Sequence, residues 1–244
     1  MGFLFMKYIY GPIKSRRLGL SLGISLTPYK VCSFDCVYCQ LGKTTEKSAE
    51  RKEYVLEAEI INELGLWFQN NPEEATRLNY ITFSGSGEPT LHTKIGQLIS
   101  KIKQLYPVKV AVITNASLFH SAPLRQELRN ADLLIPSLDA ANQEVFNAID
   151  RPEENIKVGD IIEGLIQFRK EFKGTLWLEV MLVKGINDQV SHIRELKEAV
   201  EKINPDKIQL NSPVRATCEQ GILPVAAKKL EKFKEILGEK CEVV

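Results

Sequence analysis

The chain has 244 residues, of which 44% are hydrophobic and 26% charged, and it carries a net charge of +1. That length suits a single domain, residues 1–244, with a substantial core, and the balanced charge removes any global argument for binding nucleic acid or a membrane surface, while leaving room for a local basic patch. No apolar run approaches the roughly 20 residues of a membrane span, and Lys7 stops the apolar opening Met1–Met6 before it reaches the length of a signal-peptide core.

Residues 7–18 read as an extended lead-in broken by Gly11-Pro12, with Arg16 and Arg17 either a solvated pair or a binder of phosphate or carboxylate near a site. Residues 18–26 alternate loosely and predict a first strand. At its end stands Cys32-Ser-Phe-Asp-Cys36-Val-Tyr-Cys39, followed by a charged, exposed stretch, 43–51. Residues 54–68 space Leu56, Ile60, Ile61, Leu64 and Trp67 or Phe68 along one helical face, and Asn70-Asn-Pro72 stops that helix. A short strand over 78–83 runs into Ser84-Gly-Ser-Gly-Glu-Pro-Thr90. There Gly85 and Gly87 permit close backbone approach to a ligand, Ser86 stands between them, and Glu88 offers an acceptor for an ammonium group; a plain strand-to-helix turn is the simpler alternative.

The alternation continues with a helix at 94–105, a strand at 108–114 ending in Asn115 and Ser117, and a helix at 124–128. A fourth strand, 132–136, leads to Ser137-Leu-Asp139, where Asp139 also reads as the N-cap of the helix carrying Val145 and Phe146. A helix over 156–172 is closed by Gly174. The fifth strand, 176–183, holds Glu179 within an apolar run, where a lone carboxylate needs a partner. After a helix at 190–203, a sixth strand, 208–211, brings Gln209, Asn211, Ser212 and Arg215 to its end, and a last helix covers 224–237. Cys218, on a rim loop, reads as a thiol that sees substrate or, more simply, as a spectator, and Cys241 as a tail residue. Six strands alternating with helices predict a parallel α/β sheet with right-handed crossovers.

Three of the five cysteines fall within eight residues of one loop. Soft thiolates gathered this way select zinc, copper(I) or iron–sulfur, and three ligands leave one position open for chemistry. Asp35 and the polar loop argue against three buried small hydrophobes. A zinc knuckle would bring a second C-x-x-C or two nearby histidines, whereas Cys218, Cys241, His92, His120 and His192 all lie far along the chain. A disulfide framework belongs to short secreted chains, and with no export signal the cysteines point to a reducing cytoplasm. An iron–sulfur cluster is the reading that remains.

C-x-x-x-C-x-x-C with an aromatic before its last cysteine resembles the signature of the radical S-adenosylmethionine (radical SAM) superfamily. In that family three cysteines hold three irons of a [4Fe–4S] cluster, and the fourth iron takes the amino and carboxylate groups of S-adenosylmethionine. The resemblance implies Cys32, Cys36 and Cys39 as ligands and Tyr38 beside the adenine. Gly85-Ser86-Gly87-Glu88 is similar to the family's glycine–glycine–glutamate stretch, with Ser86 replacing one glycine, which implies Glu88 for the cofactor's amino group. By the same resemblance Asn115 lies near the ribose or the methionine carboxylate, with a plain Asn turn cap as its alternative; Ser137 and Asp139 are candidate ribose contacts, and Glu179 faces the cofactor or substrate, with a structural ion pair as its alternative. The implied fold is a partial (β/α)6 TIM-type barrel over about residues 18–237. The implied reaction is reductive cleavage to a 5′-deoxyadenosyl radical that abstracts hydrogen, fed by a flavodoxin- or ferredoxin-type reductant.

Ser15-Arg-Arg-Leu-Gly-Leu, the cysteine loop, the 84–92 stretch and Pro136-Ser-Leu-Asp-Ala together look most like the wyosine-synthase-like branch, whose characterised members build a transfer RNA base from methylguanosine and pyruvate. The chain departs from that pattern in lacking any cysteine before Cys32 for a second cluster, in its shortness and in its near-neutral charge. Lys184 is either a Schiff-base lysine or a solvated one. Two other readings stay open: an activating enzyme for a glycyl-radical protein, and a non-enzymatic zinc module.

Overall fold

The computed structural model describes residues 6–244; the apolar opening at residues 1–5 lies outside the described residues. The chain begins with an antiparallel hairpin, β1 (Ile9–Ser15) and β2 (Gly19–Ile24), and the cysteine loop then forms a two-residue parallel ladder between β3 (Val31–Cys32) and β4 (Glu46–Lys47). Helices α1 (Glu57–Asn70) and α2 (Pro72–Ala75) follow, then β5 (Tyr80–Phe83), α3 (Ile95–Leu105), β6 (Lys109–Thr114), α4 (Ala122–Leu128) and β7 (Leu133–Pro136). The remainder is α5 (Gln143–Ile149), α6 (Val158–Glu171), β8 (Thr175–Met181), α7 (Val190–Ile203), β9 (Lys207–Asn211), α8 (Ala227–Leu237) and β10 (Cys241–Val243).

The main sheet runs β1-β2-β5-β6-β7-β8-β9-β10, and every pairing except β1 with β2 is parallel. The six strands predicted from alternation are β2 and β5 to β9, the parallel run of a partial TIM-type barrel. Two strands are added to that reading. The lead-in is the edge strand β1, and the tail is β10, so Cys241 is a buried strand residue and not a free end. The helices form where the apolar spacing put them: Ile95, Leu98, Ile99 and Ile102 of α3 are all inaccessible to solvent, the i, i+3, i+4, i+7 stripe of a helix packed on a sheet. Asn142 caps α5 by accepting the Val145 N–H at 3.0 Å, so Asp139 is not that helix's cap. The α1 helix starts at Glu57 instead of residue 54, because Val55 is buried and its carbonyl is taken by His92 Nε2 at 2.9 Å.

The period of two along the strands divides the sheet into two faces. Val110, Val112 and Leu134 join the main core against the helices, while Ala111, Leu133 and Ile135 cluster with Leu18 on the inner face, flanked by Tyr80, Ile113 and Trp177. The inner face is therefore apolar at its base. Toward the strands' C-terminal ends it becomes polar, with Glu179 opposite Gln209 and Met181 opposite Asn211 in the β8–β9 register. This end carries the cysteine loop and the glycine-rich loop.

Candidate active site

The cysteine loop is held by the protein on every side. Phe34 and Val37 are buried, and Phe34 packs edge-on against Phe146 with centroids 5.3 Å apart. The Asp35 and Val37 amides donate to the carbonyls of Asp150 (3.0 Å) and Ile149 (2.9 Å), tying the loop to the end of α5. Thr44 closes it from the other side, its N–H on Asp35 Oδ1 at 2.7 Å and its hydroxyl on the Phe34 carbonyl at 2.6 Å.

All three thiols are free, and each has its own neighbour. Cys32 lies 3.5 Å from Asn115 Nδ2, the Cys36 thiol donates to Asp150 Oδ1 at 3.2 Å, and Cys39 accepts from Lys30 Nζ at 3.0 Å. Burial, with the Glu88 charge behind it, pushes the Cys32 thiol up to about 12, and burial with the Asp150 charge raises Cys36 well above its ordinary value. Among the described residues no three His, Cys, Asp or Glu side chains stand at chelating distance. The donor set nonetheless fits a cluster. Three soft donors share one loop, and Lys30, 3% exposed, directs a buried ammonium at them with no carboxylate among the described residues as its hydrogen-bond partner.

The glycine-rich loop sits directly against this one. The Lys30 N–H donates to the Ser86 carbonyl at 2.6 Å, the Glu88 N–H to the Val31 carbonyl at 3.1 Å, and the Ser25 and Ser86 hydroxyls lie 2.8 Å apart. Gly85 holds φ +114, a region that side chains rarely enter, and a Cβ on Gly87 would lie 2.0 Å from the Val31 carbonyl oxygen. The close approach that the glycines permit is thus made first by the protein's own backbone. Glu88 is buried; its Oε1 accepts from the Thr90 N–H, the Thr90 hydroxyl and the Thr114 hydroxyl, and its Oε2 from the Asn115 N–H at 2.8 Å.

Four of the residues singled out in the sequence line one narrow pocket beside the cysteine loop, with only about 10 Å³ open to the centre of a water-sized molecule: Tyr38, Asn115, Ser137 and Asp139, with Phe146 and Asp150. The Tyr38 hydroxyl donates to Asp139 Oδ2, and Asp139 Oδ1 takes the Met181 N–H at 2.7 Å. Burial, reinforced by the Asp150 charge, raises the Asp139 carboxyl well above the usual carboxylate range. Asn115 bridges the two loops, its N–H on Glu88 and its Nδ2 donating to Ser33 Oγ at 2.9 Å, while its Oδ1 accepts the Ser117 N–H at 3.0 Å. Glu179 stands apart from this group. It forms an ion pair with Arg17 and accepts from Asn211 Nδ2 at 3.3 Å, in the wall of a larger cavity of about 840 Å³ including its open mouth.

Sequence reasoning did not find Lys30, Asp150 or the partner of Glu179. Arg17 is that partner, so the Arg16–Arg17 pair is divided, with Arg17 on Glu179 and Arg16 exposed. Cys218 reaches the cysteine loop: its N–H donates to the Cys39 carbonyl at 2.9 Å, and its thiol faces the Cys36 and Val37 carbonyls at 3.2 Å. Lys184 is exposed. The only local signal for Lys30 was its place two residues before the first cysteine. Nothing in the sequence around Cys218 reveals a contact with a loop about 180 positions earlier.

The family model described as the radical SAM superfamily matches residues 26–198. A Brachyspira hyodysenteriae protein named GTPase Obg is 41% identical over 237 residues, 97% of this chain but 34% of that protein. The UPF0026 protein MJ1312 of Methanocaldococcus jannaschii is 36% identical over 242 residues, 96% of this chain and 73% of its own length. The chain thus spans about a third of the first relative and nearly three quarters of the second. Among solved structures, a radical SAM methyltransferase from Sphaerobacter thermophilus superposes with a TM-score of 0.72 at 18% identity, covering 92% of this chain and 65% of that one. A structure of TYW1 with a lysine–pyruvate adduct gives 0.63 at 19% identity, covering 89% and 72%. At such identities the likeness is one of fold. Cysteine loop, barrel and family match agree: the protein belongs to the radical SAM superfamily, enzymes that work with a [4Fe–4S] cluster and S-adenosylmethionine.

Proposed function

We propose that this chain reductively cleaves S-adenosylmethionine and directs the resulting radical at a substrate that carries an anionic group. The observation that supports it best is the adjacency of three free thiols on one pinned loop to the cavity lined by Tyr38, Asn115, Ser137 and Asp139. When bound, the cluster and S-adenosylmethionine supply one electron and a 5′-deoxyadenosyl radical. The chain's own contribution is placement and exclusion of water. In this reading Cys32, Cys36 and Cys39 hold the iron. Tyr38, Asn115, Ser137 and Asp139 receive the nucleoside part. The loop Gly85-Ser86-Gly87 and Glu88, whose Oε2 has a single protein donor among the described residues, receive the ammonium group. A flavodoxin- or ferredoxin-type protein is the proposed electron source. No helix among the described residues is long and apolar enough to cross a membrane.

The substrate class follows from the larger cavity. Lys14, Arg16 and Arg215 line it along with Arg17 and Glu179, and Gln40, next to Cys39, is part of the same wall. Since Arg17 and Glu179 neutralise each other, three cations are left around the mouth. They suit phosphate or carboxylate. This local basic rim, absent from the overall charge, favours a nucleotide or RNA substrate, including a transfer RNA base, over a neutral one.

Two assays test the reading. After anaerobic reconstitution with iron and sulfide and reduction with dithionite, the native protein should convert S-adenosylmethionine to 5′-deoxyadenosine, and Cys36→Ala should not. Protein that takes up only zinc would overturn the proposal. For the substrate class, Arg16→Ala combined with Arg215→Ala should weaken transfer RNA binding at low salt by tenfold or more while leaving 5′-deoxyadenosine formation without substrate intact; unchanged binding would remove the anionic assignment.

A further inference from the structure

Lys30 is an unusual residue by three measures. Its side chain belongs to a residue only 3% exposed, in a loop where most lysines would be solvated. Its backbone holds φ 57, in the left-handed region that few non-glycine residues occupy. It is locked there, with its N–H on the Ser86 carbonyl at 2.6 Å and its carbonyl accepting the Thr45 N–H at 3.0 Å and the Glu46 N–H at 3.3 Å. The side chain that this conformation aims inward ends 3.0 Å from Cys39 Sγ, and among the described residues it has no ion pair with a carboxylate. A buried ammonium without a carboxylate partner is poorly compensated, because burial removes its water and nothing of opposite charge replaces it. Three thiolates around iron would supply that charge.

We propose that Lys30 is a positioning residue for the reaction, the built-in counter-cation of the iron–sulfur cluster, donating to the Cys39 sulfur and raising the potential at which the cluster accepts its electron. The inference rests on the assignment of the three cysteines as ligands. The physics is direct: reduction adds a negative charge to the cluster, and a fixed cation hydrogen-bonded to a ligating sulfur stabilises the reduced form more than the oxidised one. The effect is strong because the ammonium is buried and therefore little screened. The orientation of Lys30 also depends on Ser86, which ties the potential to the integrity of the glycine-rich loop.

The test is an anaerobic potentiometric titration of the reconstituted protein, followed by electron paramagnetic resonance, without S-adenosylmethionine. Lys30→Met keeps the length and apolar stem and removes the charge; Lys30→Arg keeps the charge. The expected result is a full complement of iron in all three proteins. The Met variant should titrate lower by at least a tenfold change in the reduction equilibrium, about 59 mV for a one-electron couple, and the Arg variant should stay near the native value. An unchanged potential in a fully loaded Met variant overturns the proposal, as does a variant whose only defect is weaker S-adenosylmethionine binding. If the Met variant cannot hold iron, the Arg variant decides: retention there shows that charge is what the site needs, and equal loss in both overturns it. Native protein that binds no iron would sink the cluster assignment itself, an outcome separate from any failure of Lys30.

Discussion

Glu179 shows how a single residue joins fold to site. A carboxylate in the middle of the β8 strand needs a partner, and the partner arrives from the far end of the sequence, Arg17 in the β1–β2 turn. The two side chains are 22% and 12% exposed, so the pair is shielded without being fully dry. Arg17→Met should therefore lower stability by about 1–3 kcal/mol, because it strands the carboxylate, and adding Glu179→Gln should restore part of the loss. Urea unfolding of the two single variants and the double variant gives the coupling; strictly additive losses would mean that the pair is incidental. His92 carries a different signature. Burial lowers its pKa from the usual 6.5, and its ring is neutral by geometry, with Nε2 donating to the Val55 carbonyl and Nδ1 accepting the Lys94 N–H at 3.1 Å. As pH falls through about 6.5, the unfolded chain takes up a proton that the folded ring resists. The contribution of His92 is thus complete above that pH and is lost on acidification. His92→Gln should be less stable at pH 8 yet show a flatter decline between pH 7.5 and 5.5; parallel curves would contradict this.

At the scale of elements, the glycines of the 84–88 loop were legible as points of close approach, but what approaches was not. The sequence suggested a ligand, and the structure puts the Val31 carbonyl and Thr27 hydroxyl against Gly87. Gly87→Ala would force its Cβ to within 2.0 Å of a backbone oxygen and 2.5 Å of Thr27 Oγ1, driving the glycine-rich loop away from the cysteine loop. The expected loss is about 1–3 kcal/mol, together with weaker S-adenosylmethionine binding. Gly159, in the first turn of α6, has nothing within 4 Å of its would-be Cβ, so Gly159→Ala should gain about 0.4–1 kcal/mol. Opposite shifts of the thermal midpoint for the two substitutions would confirm that the first glycine serves packing and the second serves nothing local. The single turn α2 left no periodic signal, while the longer helices were legible from apolar spacing over two or more turns and the six parallel strands as short apolar runs bounded by turn residues. The β1 strand was not, since Gly11-Pro12 interrupts its period, and β10 is three residues long, too short to show one.

Across the whole molecule, the residues that escaped sequence reading share one property: their meaning lies in a distant partner. Cys218 meets the Cys36–Cys39 turn, and Cys241 pairs beside Ile208 in the final ladder of the sheet. Burial pushes the Cys241 thiol up to about 12, so in folded apoprotein it should stay unmodified by an aromatic disulfide reagent at pH 8, while guanidinium exposes all five cysteines. Five thiols reacting at once in the native protein would mean that β10 is not part of the stable sheet. The charge distribution has the same character: a chain of net charge +1 gathers Lys14, Arg16 and Arg215 at the barrel mouth, a pattern created by folding.

The hydrogen bonds that frame the cysteine loop have a consequence for the protein's life in the presence of oxygen. The Ser48 N–H holds the Cys32 carbonyl at 3.1 Å, the Cys39 N–H holds that of Cys36 at 3.1 Å, and Thr44 and the end of α5 brace the rest. None of these bonds uses iron. Oxidative loss of the metal should therefore leave a folded receptacle, and stripping the reconstituted protein with a chelator should leave its far-ultraviolet circular dichroism unchanged and allow the colour to return when iron and sulfide are restored. Damage, in such an architecture, is a matter of repair and not of replacement.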